Sequence, residues 1–392
     1  MRIASVTRIA VLGLGLLPWS AQAQTPTPAE RAAESARRTI AAAPGKADGY
    51  TELALALARR ARETADPGFY DQANAALDEA LAVAPGNFEA EKMRTWVLLG
   101  KHEFTRALEA AQALNRRAPD DLQVYGFLTD AYVELGQYAQ AEQACQWMLD
   151  LRPGNLAAFT RAAYLREIFG DIDGAIELMQ QSLDRTPPTE TEDRAWLMTH
   201  IGHLELVNGR ADRAEAALTA ALTLVPDYHY ALANLAKVRS AQGRDADAAA
   251  ILATHVAVAP HPENYFGLAE ALRKAGRAAE ARRAYAEFET RARKEMDGWD
   301  NANRELIFYY AEQGKKPAEA LRIAEREVAR RQDVATLDAY AWALRANHRQ
   351  REAREVMERV LSIGVREPAT LTRAKALGAG ARTPAAKMAS SR

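Results

Sequence analysis

The chain of 392 residues has a single cysteine, which excludes an intramolecular disulfide framework and any zinc site built from several thiolates. Glycine (22) and proline (16) are too sparse for a collagen-like or low-complexity chain. Neither charge sign dominates: Lys plus Arg is 51 and Asp plus Glu is 52, so no net field draws the protein onto nucleic acid or an anionic membrane. No apolar run reaches the roughly 20 residues that span a bilayer. Catalytic signatures are missing too: there is no G-x-S-x-G, G-x4-G-K-[ST], H-E-x-x-H or C-x-x-C. What is abundant is alanine, against 48% hydrophobic and 26% charged residues. That balance describes a folded, soluble chain of closely packed helices. At roughly 150 residues per domain the length suggests two or three domains, a prior that a repeat overrides.

Residues 1–23 read as an export signal. Arg2 and Arg8 form a positive region, Ile9 to Leu17 a short apolar run, and Ala21-Gln22-Ala23 a small-x-small cleavage site before Gln24. The G-x-G at Gly13 and Gly15 lies inside this segment and carries no nucleotide-binding meaning. With no Cys at the cleavage point, no lipid anchor is expected. The mature chain is expected in the periplasm or outside the cell, with no stable membrane insertion.

A repeat organises the remainder. Proline recurs at Pro85, Pro119, Pro153 and Pro187 in steps of 34 residues, and again from Pro226 to Pro260; Gly136 to Gly170 and Gly209 to Gly243 keep the same step. Such a period is the mark of a solenoid. In one unit, Tyr125, Leu128, Thr129 and Tyr132 line a face of a first helix, and Gly136 ends it in the left-handed conformation. Ala141, Cys145, Met148 and Leu151 form the apolar face of a second helix, and Pro153 stops it. Neither hairpin buries its apolar face alone, so neighbours must stack.

The pattern resembles the tetratricopeptide repeat, W-x2-L-G-x2-Y, then A-x3-F, then P. Tyr50/Leu53/Ala54/Leu57 with Ala73/Leu77/Pro85 match it, with an insertion around Glu63–Gly68. Met198/Ile201/Gly202 with Gly209/Ala214/Leu218/Pro226 match, as do Leu232/Leu235/Ala236 with Gly243/Ala248/Leu252/Pro260, and Tyr265/Leu268/Ala269/Leu272 with Gly276/Ala281/Tyr285. The copy after Pro85 has its glycine, Gly100, two residues early. Degenerate units follow at about 299–331 and 333–366, the last with His348 in the turn-glycine place. Asn303–Leu306, Phe308-Tyr309 and Thr336–Leu344 also resemble the C-terminal end of exported bacterial proteins of this type. The resemblance implies an all-α, right-handed superhelix of about nine repeats over 47–366. Helices at Pro28–Ala43 (within 24–46) and Glu367–Leu377 cap its ends, and Gly378–Arg392 forms a disordered tail closing the 367–392 segment. Between Pro187 and Asp193 the array is irregular, which predicts a bend.

The resemblance further implies an interaction scaffold without enzymatic activity or cofactor, whose first helices line a concave groove for a protein or extended peptide. The groove places hold Tyr164, Trp196, His203, Tyr230, Lys237, Phe266, Arg304, Phe308, Asp338 and Trp342, together with Phe127, Asp130, Arg161, Asn234, Glu270 and Glu305. Tyr, Trp and Arg are the residues that most often carry interface energy. His203, Lys237 and Arg304 are isolated, so no Lys/Asn/Arg carboxylate clamp is formed. His200 and His203 share a helix face, and without a third ligand at diagnostic spacing no metal is expected. A small-ligand pocket around Trp196, His200 and His203 is the alternative function. Cys145 reads as a buried, inert thiol, and the Arg322–Arg331 run as a solvated face paired along its own helix.

Overall fold

The computed structural model describes residues 26–298 and 300–380; the export segment and most of the tail lie outside them. Twenty helices and no strand are present among the described residues. Helix α1 (Pro28–Ala42) precedes nine hairpins: α2/α3 (Ala47–Thr64, Gly68–Val83), α4/α5 (Phe88–Gly100, Phe104–Arg117), α6/α7 (Leu122–Glu134, Tyr138–Leu151), α8/α9 (Leu156–Ile168, Ile172–Arg185), α10/α11 (Thr191–Val207, Ala211–Leu224), α12/α13 (His229–Ala241, Asp245–Val258), α14/α15 (Pro262–Lys274, Ala278–Glu295), α16/α17 (Asn303–Glu312, Pro317–Arg330) and α18/α19 (Val334–Ala346, Gln350–Ile363). Helix α20 (Pro368–Leu377) follows.

Local chemistry sets each boundary. Thr27 and Glu30 form a reciprocal capping box at the start of α1, with Pro28 at its first position. Asn87, Asp121 and Asn155, again 34 residues apart, cap α4, α6 and α8 through their side-chain oxygens. Ala214 and Leu218 of α11 are fully buried, and Gly202 of α10 leaves no room for a side chain against Leu218. The small residue lets the two helices approach closely. The early Gly100 does not shift the register. The left-handed turn residue of that hairpin is His102 (φ 58°), 34 residues before Gly136, whereas Gly100 makes room for the Tyr70 ring of α3.

The stack coils tightly enough for one turn of the superhelix to touch the next. His261 hydrogen-bonds the carbonyl of Ala65 across 196 residues of sequence, and the Tyr138 hydroxyl accepts from Val334 N, also 196 residues away. Arg331 pairs with Glu134 across 197 residues. His102 Nδ1 lies 3.0 Å from Asp300 Oδ1. At Gly136 and Gly170, whose φ values are 74° and 85°, the backbones of the two turns meet directly. A Cβ at Gly136 would collide with the Gln332 carbonyl, and one at Gly170 with the Gly364 carbonyl. These glycines therefore serve both a left-handed turn and a close approach.

The two irregular stretches of sequence meet at this seam. The insertion near Glu63 lengthens α2 to 18 residues, and its last turn carries Arg62 to Glu192 (3.0 Å) and Asp193 (3.7 Å), just after the break at Pro187. His229 Nε2 donates to the Arg62 carbonyl at 2.9 Å, and the Tyr228 hydroxyl donates to Glu192 at 2.7 Å. The charged run of α17 is also divided. Arg322 pairs with Glu319 on its own helix, but Arg326 reaches Asp297 and Arg331 spans the seam.

Candidate functional site on the inner wall

First helices face the interior of the coil, and α8, α10 and α12 place an aromatic wall there. Trp196 stacks on His200 with ring centroids 5.3 Å apart, and Tyr164 meets His200 edge-on at 6.2 Å. Tyr164 and Tyr230 keep 38% and 40% of their surface accessible, although burial within the coil raises both phenols above their usual pKa. Large aromatic surface left open on a concave wall is uncommon in a chain that otherwise buries its apolar groups.

His200 and His203 converge on one acceptor. Glu167 of α8 takes a hydrogen bond from His200 Nε2 at 3.0 Å and from His203 Nε2 at 2.8 Å, one on each oxygen. Burial pushes the Glu167 carboxyl up, but the two histidine hydrogen bonds and charges outweigh it and lower its pKa to about 2. The third group that the helix spacing lacked is thus present, as a bridging acceptor, and no group of three ligating side chains suited to a metal occurs among the described residues. Glu167 precedes His200 by 33 residues, one repeat, so it occupies the matching place in the previous unit. Reading the sequence modulo its own period would have revealed it.

Two hollows share this wall. A cleft of about 910 Å³ is lined by Trp196, Tyr164, Tyr230, Leu156, Leu197, Arg62, Arg161, Glu190 and Asp193 among others. A second cavity of about 490 Å³ lies between the turns, bounded by His102, Glu134, Tyr138, Glu263, Arg304, Glu305 and Asp333 among others; Asp130, Glu134 and Tyr164 border both. Arg161 is fixed by Asp130 at 2.5 Å and by the Gly126 carbonyl. Arg304 has no carboxylate within ion-pair distance among the described residues.

The other expected groove residues are placed differently. Asp338 is 2% exposed and accepts from Arg373 and Thr370 of α20. Trp342 is 9% exposed, donates to Glu312 at 2.7 Å and carries Arg345 over its ring. Phe308 lies under Arg373 and packs on the α16–α18 core, and Phe266 packs on Phe288 and Tyr285. These four are corrected from groove to packing positions: the tight coil and α20 cover them. Lys237 is exposed on α12 but borders neither hollow. Cys145 is buried, with Sγ 3.7 Å from the Ala158 carbonyl, and burial pushes its thiol up to about 11. Arg62, Glu134 and Glu192 were missed, because they join the site only through the seam.

A curved stack of helical hairpins with an open inner wall defines an α-solenoid. Tetratricopeptide repeat family models match residues 128–189 and 206–266. Tetratricopeptide repeat protein 33 from Xenopus laevis is 28% identical over 153 residues, covering 38% of this chain. The chain spans about half the length of that curated relative, 54%. Among solved structures, the anaphase-promoting-complex hetero-tetramer Cut9-Hcn1 matches 84% of this chain and 59% of its own with a TM-score of 0.56 at 15% identity. The human IFIT1 dimer with PPP-AAAA matches 80% of this chain and 72% of its own at 0.52 and 17%. At those identities the likeness concerns the fold. The chain is a member of the tetratricopeptide repeat superfamily, whose members generally mediate protein–protein interaction or scaffolding and are typically non-enzymatic. No helix among the described residues is long and apolar enough to cross a membrane.

Proposed function

We propose that the protein is an exported adaptor of the cell envelope that holds an extended segment of a partner protein along its inner wall. The observation that carries this reading is the aromatic wall of Tyr164, Trp196 and Tyr230, open to the cleft. Rigid aromatics deliver large contact area at low entropic cost, and the cleft continues past Tyr164 into the cavity between the turns, as an elongated ligand requires. The charge-patterned segment at residues 1–23 supports export. A compact small-ligand pocket at Trp196, His200 and His203 is less well supported, because Glu167 already engages both imidazoles.

Affinity capture with the purified chain, run separately on envelope and cytoplasmic fractions, tests both parts. Trp196→Ala should weaken the captured partner's affinity by about 2 kcal/mol or more, as hot-spot truncations do, with unchanged circular dichroism. Unaltered affinity in a folded Trp196→Ala protein would overturn the inner-wall reading. A partner found in the cytoplasmic fraction alone would overturn the envelope assignment.

A further inference from the structure

The inner wall is more acidic than the molecule as a whole. The complete chain is nearly neutral, at −1, yet seven carboxylates and three arginines border the cavity between the turns. Several of these are neutralised locally: Glu134 and Asp333 by Arg331, and Asp300 by His102. Glu263 and Glu305 in that cavity, and Glu190 in the neighbouring cleft, have no cationic partner within ion-pair distance among the described residues. Burial, and then the nearby Glu305 charge, push the Glu263 carboxyl above its usual range, as two like charges in a confined space require. Both hollows also border the aromatic wall, and aromatic faces attract ammonium and guanidinium groups.

We propose that the inner wall selects an extended peptide segment carrying Lys or Arg side chains, which seats its cations at Glu263/Glu305 and at Glu190 and lays its chain against Trp196 and Tyr230. This rests on the inner-wall reading above and adds the chemistry of the partner. A cation between Glu263 and Glu305 removes their mutual repulsion, so electrostatic gain arises where the empty wall is least comfortable. The hollows together suit several residues of an extended chain better than a folded domain.

Fluorescence polarisation with three labelled octapeptides tests the assignment: alternating Ala-Arg, alternating Ala-Glu, and a neutral Ala-Tyr peptide, each against the full chain near physiological salt. The Ala-Arg peptide is expected to bind at least tenfold more tightly than Ala-Glu. Glu263→Gln/Glu305→Gln is expected to weaken it at least fivefold. Glu34→Gln/Glu355→Gln, which alters two exposed outer carboxylates, should leave it unchanged. Equal binding of the acidic peptide, equal loss in the outer variant, or displacement by spermine or a short single-stranded RNA at peptide-like concentrations would overturn the proposal. Binding of the Ala-Tyr peptide that is lost in Trp196→Ala, without any cationic preference, would overturn this inference and leave the inner-wall reading standing. Failure of all three peptides to bind would overturn both.

Discussion

Trp196 and Trp342 stand at comparable places on first helices, and sequence alone treats them alike. Their neighbours separate them. Trp196 leans on His200 and keeps a face toward the cleft, whereas Trp342 is closed in by Glu312, Arg345 and the packing of α18. Trp342→Ala should therefore lower the melting temperature, at a cost of about 3 kcal/mol, and leave partner affinity of the folded fraction unchanged. Melting and binding measured on the same sample check this; reduced affinity with normal melting would return Trp342 to the site. Asp338 follows the same logic: a carboxylate at a groove position meets Arg373 of a helix that lies one element beyond the last repeat.

At the scale of the element, what was legible is the hairpin. Proline and glycine spacing marks where helices stop, and apolar spacing marks which face is buried, because both depend on residues within one or two turns of each other. The turn-position histidines show the limit of a glycine-only reading. His348 adopts φ 62° at the end of α18, its backbone N–H held by the Arg345 carbonyl and its side chain exposed. A left-handed non-glycine residue costs roughly 1–2 kcal/mol, partly offset by the extra freedom glycine has in the unfolded chain. His348→Gly should consequently stabilise the protein by about 0.5–1 kcal/mol, read as a higher urea midpoint at constant m-value. An unchanged or lower midpoint would mean that the histidine side chain contributes more than its strained backbone costs.

The whole molecule adds the seam. Its contacts at α2 are polar: Arg62 with Glu192 and Asp193, His229 with the Arg62 carbonyl, His261 with the Ala65 carbonyl. Exposed and half-exposed ion pairs are individually weak and are screened at high salt, where the Debye length falls to about 3 Å at 1 M. Arg62→Ala should loosen the coil without unfolding its hairpins, since each hairpin rests on its immediate neighbours. Small-angle scattering is expected to show a larger radius of gyration for Arg62→Ala than for the wild type, with helix content preserved. Identical scattering would show that the glycine-lined backbone contacts at Gly136 and Gly170 hold the turns together without α2.

The sequence by itself determined the hairpins, their number, their capping helices and the identity of the residues on each first helix. All of these follow from short-range periodicity and from residue-specific backbone preferences. Tertiary structure alone decided that the coil closes on itself after about 196 residues, which brings the Glu63 insertion against the Pro187 break. Closure also sorts Trp196 and Tyr230 onto an open wall while covering Asp338 and Trp342. The physical reason is accumulation: each unit rotates slightly against the next, and only the sum over several interfaces fixes where the second turn lands. No single repeat carries that sum in its own residues.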